Sequence, residues 1–261
     1  MKLKNALLLA FACLSLPMAA QDFTDKNAPF EKKLYLSHGD TLRYRLLTPE
    51  AEVQGKKYPL VLFLHGAGER GRDNELQLFH GAQMWLNPVN RMKHPAYVIF
   101  PQCPPEEFGV FKRHEKKMNF ADLLEHPEPN EIGIMLKELL DTYLKNPQID
   151  TKRIYIMGVS MGAMSTYDFA IRYPEIFAAA IPICGVVNPE RLEAAKDVKF
   201  RIFHGDADSV VPVQGSRQAY RKLKELGAQV EYFEYPGVDH PSWHNAFREP
   251  SFMDWLFKQK K

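Results

Sequence analysis

Three short stretches of the sequence contain residue types that together could perform nucleophilic catalysis. Ser160 stands between two glycines in GVSMG, Asp206 and Asp208 follow in HGDADS, and His240 and His244 follow in DHPSWH. A serine hydroxyl is a weak nucleophile at neutral pH, so it needs a base that takes its proton and a third group that orients the base. Serine, carboxylate and histidine, in this order, supply the three parts.

The surroundings of Ser160 favour a nucleophile over an ordinary serine. The apolar run RIYIM precedes the motif and a helical pattern follows it, which is the context of a nucleophile elbow between a strand and a helix. Gly158 and Gly162 allow a sharp turn that would project the hydroxyl above the carboxyl edge of a sheet. The alternative is that Ser160 only caps the helix that we expect to begin near Met161.

Position relative to the strands selects one acid and one base. Asp206 directly follows a strand and Gly205, where a carboxylate commonly binds turn amides, whereas Asp208 lies farther out on the loop that faces the histidine. Asp208 is therefore the predicted acid. His240 is the predicted base because it lies in the loop after the last strand, while His244 is expected to be exposed in the first turn of the final helix.

A glycine-rich turn, LHGAGERG, follows the apolar run that contains PLVLFL. A tetrahedral intermediate needs hydrogen-bond donors for its oxyanion, and this position predicts the amide of Ala67 as one donor and the amide of Met161 as the other. The alternatives are a plain connection and a phosphate-binding loop, but no acidic ribose-binding residue follows a second strand as that loop would require. His65 and His204, which precede glycines at strand ends, are expected to pack and to brace loops.

Most of the apolar runs are continuous and do not alternate with polar residues, which is typical of strands buried on both faces of a parallel sheet. These runs are YPLVLFLHG (58–66), AYVIFPQC (96–103), RIYIMG (153–158), FAAAIPICG (177–185), KFRIFHGD (199–206) and QVEYFEYPG (229–237).

Helical patterns lie between these runs. One apolar face repeats through NEIGIMLKELLDTYLKN, Asn188 and Pro189 indicate a helix start, and Gly227 indicates a helix end. The segment KLYLSHGDTLRYRLLTP instead predicts a hairpin that turns at His38, Gly39 and Asp40. We therefore predict the α/β class, with a doubly wound, mostly parallel sheet and an antiparallel hairpin at its start.

The chain of 261 residues, 45% of them hydrophobic, is long enough for one domain with a sizeable core, expected at 21–261. Residues 1–20 are expected to be a signal peptide, because two lysines precede an apolar stretch and then small residues. Export to the periplasm or the medium follows, without membrane insertion after cleavage. Cleavage near Ala20 is favoured over lipidation of Cys13, since Phe11 stands where a lipidation motif has a small residue.

Charge and cysteine content narrow the possible partners. Lys and Arg number 34 and Asp and Glu 32, and the first 20 residues contain two lysines and no acid, so the mature chain is expected to be neutral (32 − 32 = 0) and not to bind nucleic acid. Cys103 and Cys184 are expected to stay free, because two strands should separate theirs. The sequence lacks the CxxC and HExxH spacings, so no metal and no other cofactor is predicted.

Five ordered motifs resemble one known group of proteins. LHGAGERG, PQCP, RIYIMGVSMGA, HGDADSVVP and YPGVDHPSW are similar to the motifs of α/β-hydrolase esterases related to dienelactone hydrolase and prolyl oligopeptidase. This group includes predicted peptidases, phospholipase/carboxylesterases and esterases that resemble polyhydroxybutyrate depolymerases. The resemblance implies Ser160, Asp208 and His240 as a catalytic triad and an oxyanion hole at the HGAG turn. Some secreted members of the group act on acetyl or feruloyl esters of plant polysaccharides, so a small-molecule or saccharide-linked ester is the substrate that it implies.

The sequence departs from this group in the segment after PQCP, which relatives often fill with tryptophans and which contains none here. The variable segment 104–130 is expected over the active site, where its phenylalanines could line a pocket and its basic residues could meet an acid. The alternative is a solvated charged loop with a few anchoring phenylalanines. The candidates for substrate contact are Phe108, Phe111, Phe120, Lys112, Arg113 and Trp243.

Three functions are compatible with this inventory. A serine ester hydrolase is favoured over a serine peptidase for short peptides, because prolyl-oligopeptidase-type enzymes usually have a large gating domain and only a few dozen residues precede the oxyanion strand here. The third is an inactive binding module, which the complete set of Ser160, Asp208 and His240 disfavours. The oligomeric state and the acyl and alcohol groups of the substrate do not follow from the sequence.

Overall fold

The computed structural model describes residues 27–112 and 128–261. The predicted signal peptide, Cys13, Arg113 and Phe120 therefore lie outside the described residues. Eight strands form one sheet in the order β1-β2-β4-β3-β5-β6-β7-β8. The strands are β1 Glu31–Ser37, β2 Asp40–Leu47, β3 Tyr58–Leu64, β4 Tyr97–Gln102, β5 Ile149–Val159, β6 Ala179–Ile183, β7 Lys199–Gly205 and β8 Val230–Tyr235.

The sheet has the predicted mixture of strand directions. β1 and β2 pair antiparallel, β2 pairs antiparallel with β4, and all the other neighbours are parallel. The hairpin turns at His38 and Gly39, whose φ angles of 52° and 79° are those of a tight turn with left-handed backbone. The predicted fold class, a doubly wound α/β sheet with an antiparallel start, is confirmed.

Helices cover both faces of the sheet. They are α1 Ala82–Leu86, α2 Pro88–Lys93, α3 Glu131–Leu144, α4 Met161–Arg172, α5 Gln214–Glu225, α6 Trp243–Ala246 and α7 Phe252–Lys258. Side chains of α3, α4 and α5 belong to the core on one face, and side chains of α1, α6 and α7 belong to the core on the other. None of the helices within the described ranges combines the length and apolar character that a membrane crossing requires.

The side chains of the continuous apolar strands pack in both of these cores. Along β3, Leu60 and Leu62 pack in the first core, whereas Val61 and Phe63 pack in the second, because successive side chains of a strand point to opposite faces. β3 is buried along its whole length for this reason.

One predicted helix has a different form. Residues Pro189–Ala195 form a 3-10 helix, and the Asn188 side chain accepts a hydrogen bond from the amide of Glu190. The expected cap is present, but the segment is only seven residues long, which is short for the cooperative hydrogen bonding that favours an α-helix.

The two cysteines of the described chain are free and buried. Cys103 follows β4 and Cys184 follows β6, and β3 and β5 lie between these strands. The expected separation by two strands is therefore present in the sheet.

Candidate active site

Ser160 lies on a strained turn between β5 and α4. Its φ and ψ are 55° and −119°, and its side chain makes no capping hydrogen bond to the helix. Non-glycine residues rarely adopt this conformation, which costs about 1–3 kcal/mol and is found mostly at functional sites. The geometry is that of an elbow that exposes the serine hydroxyl, and the alternative of a helix cap does not fit it.

The glycines on either side of Ser160 are required by close packing. A Cβ atom on Gly162 would lie 2.0 Å from the carbonyl oxygen of Leu64, and one on Gly158 would lie 2.4 Å from the carbonyl oxygen of Gly162. Any side chain at either position would force the end of β3 away from the turn. The GVSMG motif thus holds the elbow against the neighbouring strand.

A chain of hydrogen bonds starts at the Ser160 hydroxyl. Ser160 Oγ lies 2.9 Å from His240 Nε2, and His240 Nδ1 lies 2.8 Å from Asp208 Oδ2. The Asp208 side chain is fully buried, while that of His240 is 15% exposed. With Nδ1–H donated to the carboxylate, Nε2 is free to accept the serine proton.

The two candidate acids have different partners. Asp208 Oδ1 accepts the amides of Val210 and Val211 at 2.9 and 2.8 Å, which leaves Oδ2 directed at His240. Asp206 is exposed, and its Oδ1 accepts the amide of Gly237 at 2.6 Å. Asp206 therefore binds a turn amide, and Asp208 contacts the histidine.

Two backbone amides face the same end of the sheet as Ser160. Ala67 is the first residue of a 3-10 helix that begins just beyond β3, and Met161 is the first residue of α4. Within the described residues neither amide donates to a backbone carbonyl, as expected for the first amide of a helix. Both amides therefore stay candidates for the predicted oxyanion donors.

His65 fixes the turn that carries Ala67. This buried histidine has Nδ1 at 2.6 Å from the carbonyl oxygen of Gly66 and Nε2 at 2.9 Å from the amide nitrogen of Cys103. Nδ1–H therefore donates to Gly66 and Nε2 accepts from Cys103, which joins the turn to the end of β4. Arg70 adds a second brace, because its Nε donates to the Ala67 carbonyl at 2.8 Å.

We expect His65 to make the folded protein less stable in acid. Burial lowers the pKa of His65 from 6.5 to about 4, so between these values the unfolded chain binds a proton that the folded protein does not. The unfolding free energy then falls as the pH is lowered through this window, by about 2 kcal/mol between pH 7 and pH 5. His65→Gln, which keeps a donor and an acceptor, should reduce this fall.

Urea unfolding of wild type and His65→Gln at both pH values measures the difference. The matched control is His244→Gln, because His244 is exposed and lies outside the turn that His65 braces, so its replacement should change the pH dependence of unfolding far less than His65→Gln does. Equal pH dependence of wild type and His65→Gln would contradict the prediction.

His204 contacts the acid, a role that the sequence interpretation did not assign. Its Nε2 lies 3.1 Å from Asp208 Oδ2 and 3.0 Å from the carbonyl oxygen of Val211, and its Nδ1 lies 2.7 Å from Ser216 Oγ. Burial lowers the pKa of His204, which favours the neutral ring with Nε2–H donated to the Val211 carbonyl and lying close to the carboxylate. Asp208 Oδ2 thus lies between His204 and His240. The way the loops fold brings these residues together, and no sequence motif indicates it.

One group of three potential metal ligands occurs among the described residues. The side-chain ligand atoms of Cys184, Asp208 and His240 lie within 4.8 Å of one another. Burial raises the pKa of the Cys184 thiol, which disfavours the thiolate that binds metals. His240 and Asp208 are also hydrogen-bonded to each other. The group is therefore better described as the hydrogen-bonded residues Ser160, His240 and Asp208 with a buried thiol next to them.

The residues predicted to contact the substrate differ in burial and in their neighbours. Trp243 is partly buried, with its ring centroid 5.5 Å from that of His240. Phe108 packs partly against the core, near the Arg70 guanidinium. Lys112 is exposed.

Phe111 is a correction to the predicted pocket. Its side chain is 3% exposed and packs in the core on the α3 face, because backbone bridges to Phe108 and Pro129 turn the segment inward. It anchors the segment and does not line an open pocket.

The fold and the position of this site define an α/β-hydrolase. Residues 50–251 match the phospholipase/carboxylesterase family, and the chain belongs to that family. Its fold is that of the α/β-hydrolases.

Three similar proteins illustrate the range of the comparison. A solved thermostable esterase is 36% identical with a TM-score of 0.81, over 90% of this chain and 64% of that one. Poly(3-hydroxyalkanoate) depolymerase C of Paucimonas lemoignei is 31% identical over 49% of this chain. The bifunctional acetylxylan esterase/xylanase XynS20E of Neocallimastix patriciarum is 30% identical over 41%. The matches span 28% and 16% of these two relatives.

Proposed function

We propose that this protein is a serine esterase that cleaves carboxylic esters through an acyl-enzyme on Ser160, without a metal or an organic cofactor. The observation that carries the proposal is the hydrogen-bonded chain from Ser160 Oγ through His240 to the buried Asp208. The strained elbow supports it, because such strain is retained where it serves a function.

The geometry suggests the following steps. His240 Nε2 takes the Ser160 proton as Oγ attacks the ester carbonyl, and the Asp208 carboxylate stabilises the imidazolium. The amides of Ala67 and Met161 donate to the oxyanion. His240 then gives its proton to the leaving alcohol, and a water molecule, activated by the same histidine, releases the acid.

Esters are favoured over amides in this proposal. An alkoxide leaves without the prompt protonation that an amine requires, so an open triad hydrolyses esters first. We further propose that the protein is exported after removal of residues 1–20 and that its esters are acetyl or feruloyl groups on polysaccharides. The family resemblance and the acetylxylan esterase relative support this substrate class.

Hydrolysis of 4-nitrophenyl acetate tests the proposal. We expect turnover that survives a chelator, labelling of Ser160 by a fluorophosphonate, and much slower cleavage of the corresponding 4-nitroanilide. Mass spectrometry of the labelled peptide locates the modified residue. Activity that is lost with the chelator and restored by zinc, or faster cleavage of the anilide, would overturn it.

We expect His204 to act on catalysis through Asp208. His204→Phe keeps an aromatic ring of similar volume but removes the Nε2–H that lies 3.1 Å from Asp208 Oδ2. Loss of a polar contact to a charged group should cost about 1.5–3 kcal/mol, or roughly 10- to 100-fold in kcat/KM. The measurement is the hydrolysis of 4-nitrophenyl acetate by His204→Phe, Asp208→Asn and the double variant.

The double variant separates positioning from a general structural effect. Once Asp208 is already replaced by Asn, His204→Phe should cause little further loss, because its partner carboxylate is gone. The same factor of loss in both backgrounds would contradict the prediction, and thermal unfolding checks that each variant is folded.

A further inference from the structure

A groove of about 420 Å³ lies beside the candidate active site. We call it the aromatic groove. Two segments distant in sequence form it, one just before and within α1 and the other within and just after α6. The lining residues used in the argument are Phe79, His80, Gln83, Trp243, Phe247 and Arg248.

Two residues of the aromatic groove lie next to parts of the candidate active site. The ring centroids of His80 and Trp243 are 4.8 Å apart, and the Trp243 ring is 5.5 Å from that of His240. On the other side, His80 Nε2 lies 3.6 Å from Glu69 Oε1, in the 3-10 helix that begins at Ala67. The groove therefore opens between the base and the turn with the proposed oxyanion donor.

We propose that the aromatic groove binds the alcohol half of the ester and that this alcohol is a sugar residue. This inference rests on the esterase activity proposed above. In the proposed steps His240 gives the serine proton to the leaving alcohol, which places the alcohol on the His240 side of the ester. Trp243, a wall of the groove, lies on that side.

The lining matches the two chemical faces of a sugar ring. Phe79 is 72% exposed, and Trp243 and Phe247 add partly buried aromatic surface, on which the C–H face of a pyranose can pack. Gln83 and Arg248 are exposed at the groove and can donate hydrogen bonds to ring hydroxyls. The volume lies within the range of small-molecule sites.

The same lining disfavours a cationic alcohol. Aromatic sites for quaternary ammonium groups rely on the negative faces of the rings, but here Arg248 places a positive charge at the groove. No carboxylate is among the residues that line this groove in the described chain. A neutral, hydroxyl-rich alcohol fits these charges better.

Two acetate esters with different alcohols test the proposal. Monoacetylated methyl β-D-xylopyranoside and ethyl acetate share the acyl group, so the ratio of their kcat/KM values reports the alcohol half alone. We expect the wild type to favour the sugar ester and Phe79→Ala to reduce the ratio roughly three- to tenfold, mainly through KM, the size expected for one aromatic contact.

Met92→Ala is the matched control. Met92 is 77% exposed on α2 and does not line the groove, so this variant should keep both kcat/KM values. Because Phe79 and Met92 are both largely exposed, neither replacement should lower the melting temperature.

The outcomes distinguish this inference from the proposed esterase activity. If the wild type hydrolyses neither these acetates nor 4-nitrophenyl acetate, the esterase proposal fails. If it hydrolyses ethyl acetate as well as the sugar ester, or if Phe79→Ala leaves the ratio unchanged, the sugar subsite is refuted. If Phe79→Ala lowers the ratio of kcat/KM for methyl ferulate to that for methyl acetate, the groove holds the acyl group. If the wild type prefers octyl acetate to the sugar ester, the groove holds an alkyl chain. Either result overturns the proposal.

Discussion

Ser160→Ala is expected to reduce the hydrolysis of 4-nitrophenyl acetate by roughly ten-thousandfold or more, because the variant lacks the hydroxyl on which the proposed acyl-enzyme forms. The change removes one hydroxyl whose hydrogen-bond partner, His240, keeps some access to solvent. The backbone strain at this position is retained by both residues. The melting temperature should therefore stay close to that of the wild type, and both quantities are measured on the same preparation.

Ser209→Ala is the control for the loss of a nearby hydroxyl. Ser209 lies next to Asp208 and donates to Asp239 at 2.8 Å, outside the chain from Ser160 to Asp208. Its replacement should leave most of the activity. Substantial activity in Ser160→Ala, measured above the background of the buffer, would show that the reaction does not pass through this serine.

Local patterns made much of the fold and of the elbow predictable. A strand buried on both faces needs a continuous apolar run, and a sharp turn against a neighbouring strand needs glycines at 158 and 162. Each of these requirements concerns only a few neighbouring residues, so it can be recognised in the sequence. The strand ends also place Ser160, Asp208 and His240 at one edge of the sheet, because parallel strands end on the same side.

Contacts between distant segments could not be predicted in this way. The meeting of His80 with Trp243, and of His204 with Asp208 Oδ2, depends on how loops fold over the sheet edge. Phe111 illustrates the same limit, since a phenylalanine in a variable segment has the same pattern whether it faces the core or a pocket. Tertiary packing decides whether such a residue faces the core or a pocket.

Asp208→Asn is the second variant with a large expected effect. Oδ1 of Asp208 accepts two backbone amides, from Val210 and Val211, so the oxygen of an asparagine at this position should remain there. Its NH2 group then faces His240 Nδ1, which must become the acceptor, and the proton moves to Nε2. A histidine protonated at Nε2 cannot take the serine proton, and the expected fall in kcat is roughly ten-thousandfold with the fold intact.

Asp206→Asn is the matched control, because it makes the same chemical change two residues away. Asp206 is exposed, and among the described residues its side chain accepts the amide of Gly237, a role that the asparagine oxygen can fill. This variant should therefore keep its activity and lose at most about 1 kcal/mol of stability. The opposite pattern, with Asp206→Asn inactive at an unchanged melting temperature and Asp208→Asn active, would reverse the assignment. Both variants exchange one carboxylate oxygen for NH2, so a difference between them reports the buried surroundings of Asp208, which include His240 and His204, and not the chemical change by itself.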